Sequence, residues 1–132
     1  MNGSAPAVDG TGIVLFAHGA RDSEWAGPLR AIAASIREAS PGLRVELAFL
    51  EFMTPALADA VAAMNAEGCD RITLVPLFLA QGGHLKKDLP VLLADIRVRH
   101  PRVAIRVTPA IGDAPELVSA IAVWALGQHG ST

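Results

Sequence analysis

Two hydrophobic rhythms alternate along this chain. Residues 12–17 (GIVLFA) form a short unbroken apolar run, the pattern of a parallel strand buried on both faces. Leu29, Ile32, Ala33 and Ile36 then recur at helical spacing. Residues 43–51 (LRVELAFLE) return to a strand pattern rich in β-branched and aromatic residues. The next segment predicts a helix with Thr54 as cap, Pro55 at its first position, and Leu57, Val61 and Met64 on one face. Residues 71–79 (RITLVPLFL) predict a third strand, with a bulge at Pro76 because proline has no ladder N–H. Leu89, Leu92, Leu93 and Ile96 mark a third helix, and residues 102–109 (RVAIRVTP) a fourth strand. Asp113 to Glu116 (DAPE) has the form of a capping box, opening a last helix through Leu117, Ile121 and Trp124.

Four βα units in a row predict an α/β fold with an open parallel four-stranded sheet and helices on both faces. Right-handed crossovers leave few topologies, and a flavodoxin-like order, 2-1-3-4, fits best. Residues 1–11 are small, polar and rich in Gly and Pro, and read as a flexible N-terminal arm. Residues 12–126 read as a single domain, and 127–132 as a C-terminal tail.

Composition narrows the function. At 132 residues the chain is long enough for one real core, and with 52% hydrophobic and 18% charged residues most of it should fold. Net charge is −2, so no basic excess exists to neutralise a nucleic-acid backbone. Cys69 is the single cysteine, which excludes an intramolecular disulfide and a multi-cysteine zinc site; it reads as a small structural residue. No basic segment followed by a long apolar stretch opens the chain, and no apolar run approaches the ~20 residues of a membrane span. A cytoplasmic protein is expected, without membrane or nucleic-acid partners.

The polar residues gather where the strands end. His18 follows the first strand in 17-AHGARD-22, Glu51 follows the second in 49-FLEFMTP-55, and His84 follows the third in 81-QGGHLKKD-88. In open parallel sheets ligands bind beyond the carboxyl ends of the strands, where strand order reverses. With order 2-1-3-4 that point lies between strands 1 and 3, which deliver the two histidines, and Glu51 comes from the strand beside them. Two imidazoles and a carboxylate suit a first-row divalent metal, and also proton transfer near neutral pH. Gly19, Gly82 and Gly83 fit tight turns and would let a flat ligand approach the backbone. Arg21, Lys86 and Lys87 would ring the mouth with positive charge, suited to an anionic ligand. Taken singly, each has a plainer reading: a hydrogen-bonded histidine, a solvated glutamate, an ordinary glycine turn, a solvated first helical turn. Trp25 and Trp124 fall at helical core or interface positions, and His100 and His129 in a loop and a tail.

At these residues the sequence resembles the class II chelatases, in particular the short CbiX/SirB family of sirohydrochlorin cobalto- and ferrochelatases. The matching motifs are 17-AHGARD-22, 47-LAFLEFMTPAL-57 and 75-VPLFLAQGGHLKKDLP-90, spread over nearly the whole domain. The resemblance implies insertion of Co²⁺ or Fe²⁺ into sirohydrochlorin without ATP, on the path to cobalamin or sirohaem. A related archaeal enzyme inserts Ni²⁺. The family's paired histidines map onto His18 and His84, as metal ligands or acceptors of pyrrole protons, and its acidic residue onto Glu51. The metal is then a substrate, and no tightly bound cofactor is implied. Short members usually pair as homodimers, giving a cleft wide enough for the macrocycle. Arg21, Lys86 and Lys87 become contacts for the ring's carboxylates, and its flat face would lie on the glycine turns and on Leu50, Phe52, Met53 and Leu79.

Two other functions fit parts of the pattern. A histidine phosphatase also carries His-Gly after its first strand, but normally with Arg just before that histidine, where this chain has Ala17. A non-catalytic metal or tetrapyrrole carrier would keep both histidines and need no proton acceptor, against which Glu51 argues.

Overall fold

The structure, a computed structural model, describes residues 10–80 and 82–130, with the side chain of His84 outside the described set. The apolar runs become strands β1 (Thr11–Ala17), β2 (Arg44–Phe49), β3 (Arg71–Pro76) and β4 (Ala104–Val107). Helices α1 (Gly27–Ala39), α2 (Leu57–Ala66), α3 (Gly83–Arg99) and α4 (Pro115–Gly130) follow them in turn. All pairings are parallel, in the expected order β2-β1-β3-β4. Short 3₁₀ turns, Ser23–Ala26 and Ile111–Asp113, lead into α1 and α4.

The pleat divides the core. Val14, Phe16, Ile72, Leu74 and Ile105 point to one face and pack with Leu57, Val61 and Met64 of α2 and Leu89, Leu93 and Ile96 of α3. Leu15 and Val45 point to the other face and pack with Ala33 of α1. Cys69 is fully buried on the α2–α3 side, as a structural residue should be. Burial pushes its thiol pKa up, which keeps it a neutral donor toward the Thr11 carbonyl at 3.8 Å.

Several expected details change. Thr54 does not cap α2. The Phe49 N–H donates to the Pro55 carbonyl (2.9 Å) and Phe49 bridges Ala56, so residues 55–56 are held against the end of β2 and the helix begins only at Leu57, capped by Ala56. Nor is there a bulge at Pro76. The register runs unbroken to Phe16↔Pro76, and the Leu77 N–H donates to the Phe16 carbonyl (2.8 Å). By alternation the missing Pro76 N–H faces the β4 side, where pairing has already ended at Leu74↔Val107, so no ladder bond is lost. The capping box at Asp113 does not form either. Asp113 closes a 3₁₀ turn, and the N–H groups of Leu117 and Val118 turn back to the Ala114 carbonyl. Helix α4 runs on through Gly130, into the stretch expected to be a tail, and none of its residues is buried. Trp124 is 67% exposed and is therefore not a core residue. The proposed arm lies outside the described residues up to position 9, and β1 starts at Thr11.

At the opposite end of the sheet from the candidate site, Arg44 is clamped between Glu46 and Glu67, the latter at 2.7 Å. Its side chain is only 10% exposed, while the two carboxylates keep 26% and 32%. Arg44→Met leaves two acidic groups facing each other without their cation. The expected loss is about 2 kcal/mol in urea denaturation, less than the ~3–5 of a fully buried pair because both glutamates still reach water.

Candidate functional site

The β1–β2 ladder extends past the strands' formal ends. The Leu50 N–H donates to the Ala17 carbonyl (2.9 Å) and the Glu51 N–H to the His18 carbonyl (3.0 Å). His18 and Glu51 are thereby set side by side at the carboxyl edge of the sheet, and their side chains meet, His18 Nε2 lying 3.1 Å from Glu51 Oε2. Both are about half exposed, 51% and 47%, so the pair faces open space above the sheet. On the ring's other side His18 Nδ1 is 3.1 Å from the Gly19 carbonyl. Donation from Nδ1 to that carbonyl leaves a lone pair on Nε2, aimed with Glu51 Oε2 at one region. Two acceptors at this distance are completed by a proton or by a metal dication.

Gly19 makes the approach possible. Its φ is +94°, and a Cβ there would lie 1.8 Å from the Glu51 carbonyl oxygen. Immediately after Glu51 the chain turns through Phe52, a non-glycine residue at φ 67°. An aromatic residue in the left-handed region is a place of backbone strain, of the kind that collects at binding sites. Phe52 is 54% exposed, and the Arg21 guanidinium stacks 4.7 Å from its ring centroid. Arg21, Arg30, Phe52 and Met53 line a cleft of about 290 Å³ next to the pair.

The other expected groups lie after β3. Gly82 caps α3 and Gly83 is its first residue. Neither is demanded by a tight turn: Gly82 has an extended backbone (φ −71°, ψ 163°), and a Cβ at either position would meet open space. His84 is the second residue of α3, beyond the β3 end of the switch point, and its side chain is outside the described set. Lys86 and Lys87 are exposed in the helix's first turn. Leu79 is 69% exposed on the loop between. Among the described side chains no cluster of three or more His, Cys, Asp or Glu could hold a metal.

Arg30 and Gly112 were not singled out from the sequence. Arg30 is an ordinary polar position of an amphipathic helix until the fold places it beside Arg21. Gly112 donates its N–H to the Phe78 carbonyl (3.1 Å), and a Cβ there would lie 1.6 Å from the Leu79 carbonyl oxygen. It braces the loop that leads to Gly82, a role a lone glycine after a strand does not reveal.

The fold and the pair together define an open α/β protein with an imidazole and a carboxylate side by side at the carboxyl edge of its sheet. Residues 12–123 match the CbiX family model, and the chain belongs to that family. It is 37% identical to a protein named sirohydrochlorin cobaltochelatase from Saccharolobus solfataricus, over 62% of each chain, so the match spans less than two thirds of that relative. A protein of the same name from Sulfurisphaera tokodaii is 34% identical over 65% of this chain and 70% of its own. Among solved structures, a CbiX protein from Marinobacter aquaeolei VT8 superposes with a TM-score of 0.81 at 31% identity, covering 92% of this chain and 99% of that one. The sirohydrochlorin chelatase SirB from Bacillus subtilis subspecies spizizenii, in complex with cobalt, superposes with a TM-score of 0.73 at 27% identity. It matches 85% of this chain but only 48% of its own length.

Proposed function

We propose that this chain inserts Co²⁺ or Fe²⁺ into sirohydrochlorin without ATP, in cobalamin or sirohaem biosynthesis. The observation that carries this reading is the convergence of His18 Nε2 and Glu51 Oε2, 3.1 Å apart, on open space at the switch point. The names of the relatives support the substrate, and the structures of SirB with cobalt and with Fe³⁺ support the metals. Insertion exchanges two ring N–H protons for a dication. His18 and Glu51 offer the two acceptors, and His84 is the second imidazole that receives and passes the metal. Neutral imidazole suits this task because it binds a first-row ion without the grip of a thiolate cluster. The metal is a substrate that arrives separately from the ring and leaves within it.

The open space beside Gly82 and Gly83 fits a flat macrocycle, with Phe52, Leu50, Met53 and Leu79 offering apolar contact. Arg21, Lys86 and Lys87 meet the ring's carboxylates by charge-assisted hydrogen bonds. The protein works in the cytoplasm as a pair of chains, because one sheet edge leaves His18 and Glu51 half exposed and supplies only one side of a cleft. Among the described residues no helix is long and apolar enough to cross a membrane.

Glu51→Gln separates proton acceptance from metal binding. It preserves shape and a hydrogen-bond partner for His18 and removes the base. Anaerobic absorbance of sirohydrochlorin with Co²⁺ or Fe²⁺ should show insertion slowed by roughly 10²-fold, with the metal still bound in the absence of ring. Full speed in the variant would remove Glu51 from the reaction, and lost metal binding would make it a ligand instead.

A further inference from the structure

We propose that Arg21 and Arg30 form a two-guanidinium subsite that reads the neighbouring acetate and propionate of one pyrrole, and so selects tetrapyrroles that keep their acetates over those in which acetate has become methyl, an assignment that rests on the metallation reading above. The cleft of about 290 Å³ beside His18 and Glu51 is lined by both guanidiniums and by the hydroxyl residues Ser23 and Thr54, and by no acidic residue. Neither arginine has a carboxylate within ion-pair distance among the described residues. Asp22, the acid next to Arg21 in the chain, is engaged elsewhere: its Oδ1 accepts the Glu24 N–H at 3.0 Å and caps the 3₁₀ turn Ser23–Ala26.

Arg30 stands at an unfavourable place for a cation. It lies in the first turn of α1, at the positive end of the helix macrodipole, and no acidic residue in that turn balances it. The hydrogen bond it makes, from Nη1 to the Ser23 carbonyl, is long at 3.4 Å, so the fold gains little from the charge. Arg21 is held differently. Its guanidinium lies 4.7 Å from the Phe52 ring centroid, and Phe52 is itself set by its backbone at φ 67°. A guanidinium laid on an aromatic face keeps its N–H edge for a planar anion. One arginine is thus braced and the other is free to close on what enters.

Size and charge define what the cleft takes. Two guanidiniums without an acid select carboxylates, which accept from arginine in a planar, bidentate way. The volume is at the low end of the ~300–1,000 Å³ of small-molecule sites, too small for a macrocycle and suited to its rim. Every pyrrole of sirohydrochlorin carries an acetate beside a propionate. These arms leave adjacent carbons and bring two carboxylates into one cleft, one for each guanidinium. A ring whose acetates are methyls brings a single carboxylate, which either arginine alone can hold, and leaves the second cation unpaired. With strand order β2-β1-β3-β4 the cleft flanks His18 on the β2 side, while Lys86 and Lys87 stand beyond β3. Anchoring one pyrrole there fixes how the ring is turned above His18 and Glu51.

The test titrates the full-length chain, without metal, into two fluorescent free-base rings: uroporphyrin, with acetate and propionate on each pyrrole, and coproporphyrin, in which each acetate is a methyl. Arg30→Gln, an exposed helix position given a good helix former, should weaken uroporphyrin binding about tenfold, the loss of one charge-assisted contact discounted for exposure. Coproporphyrin binding should be unchanged, because Arg21 still holds its lone propionate. In metallation the KM for sirohydrochlorin should rise by a similar factor with kcat kept. Arg102→Gln removes the same charge from an exposed position in the turn before β4, at the opposite end of the sheet, and should change neither affinity. Equal losses for the two rings, no loss, or the same loss in Arg102→Gln overturns the subsite, and continued turnover of sirohydrochlorin then keeps the metallation reading. The selective loss in a chain that never metallates sirohydrochlorin overturns that reading and keeps the subsite.

Discussion

Replacing His18 with alanine is expected to cut the rate of sirohydrochlorin metallation by about three orders of magnitude. General acid–base groups contribute roughly 10²–10⁴-fold, and the proposed function also gives His18 a hold on the metal, so under that proposal its loss removes two functions at once. The fold should survive. The side chain is 51% exposed and its neighbours in the core, Phe16 and Ala17, do not depend on it. What remains after substitution is Glu51 without its imidazole, a lone exposed carboxylate that binds a dication weakly. The decisive comparison is kcat for Co²⁺ insertion with the circular dichroism spectrum and melting temperature held as controls. A variant that keeps its melting temperature and loses turnover assigns the loss to chemistry. A variant that turns over normally would take His18 out of the site and, with it, the pairing that carries the proposed function.

Gly19→Ala is expected to damage both activity and stability, through a different cause. The added methyl would lie 1.8 Å from the Glu51 carbonyl oxygen, a backbone atom that cannot rotate away, and alanine at φ +94° is strained wherever it stands. The β1–β2 edge must part to admit it. That breaks the N–H bond from Glu51 to His18 and carries the carboxylate away from Nε2. A loss of about 2–4 kcal/mol in chemical denaturation, in the range of steric and special-backbone substitutions, should accompany a fall in insertion of roughly 100-fold. Adding metal in excess should not restore the rate, because geometry rather than affinity has failed. An alanine variant with wild-type stability would mean that the close approach of Gly19 to Glu51 is not a feature of the protein in solution.

The strands and their order could be read directly. Four strand-like segments with helical spacing between them admit few arrangements, and the switch point follows from the order alone. The convergence of His18 and Glu51 was legible for the same reason, since adjacent strand ends must be neighbours in space. The failures lie where a local signal competes with a long-range bond. Thr54-Pro55 has the form of a helix start, but the Phe49 N–H takes the Pro55 carbonyl and delays α2. Pro76 looked disruptive only because its register was unknown: its missing N–H faces a side where β4 has already stopped. DAPE matches a capping box, yet the preceding Gly112 is held by Phe78, so Asp113 is spent in the 3₁₀ turn. The free face of α4 was invisible for a deeper reason. Apolar spacing marks a helix expected to be buried, and none of the residues of α4 is.

The most direct test is the stoichiometry of metallation. Purified protein at low concentration is mixed anaerobically with an excess of sirohydrochlorin and of Co²⁺ or Fe²⁺ in separate cuvettes, and the metallated ring is followed by absorbance against protein-free controls. The expected result is acceleration with many equivalents of product per chain, lost in His18→Ala. Tight binding of metal or ring that stops at one equivalent, with no acceleration beyond it, would contradict an enzyme and leave a carrier built on the same scaffold.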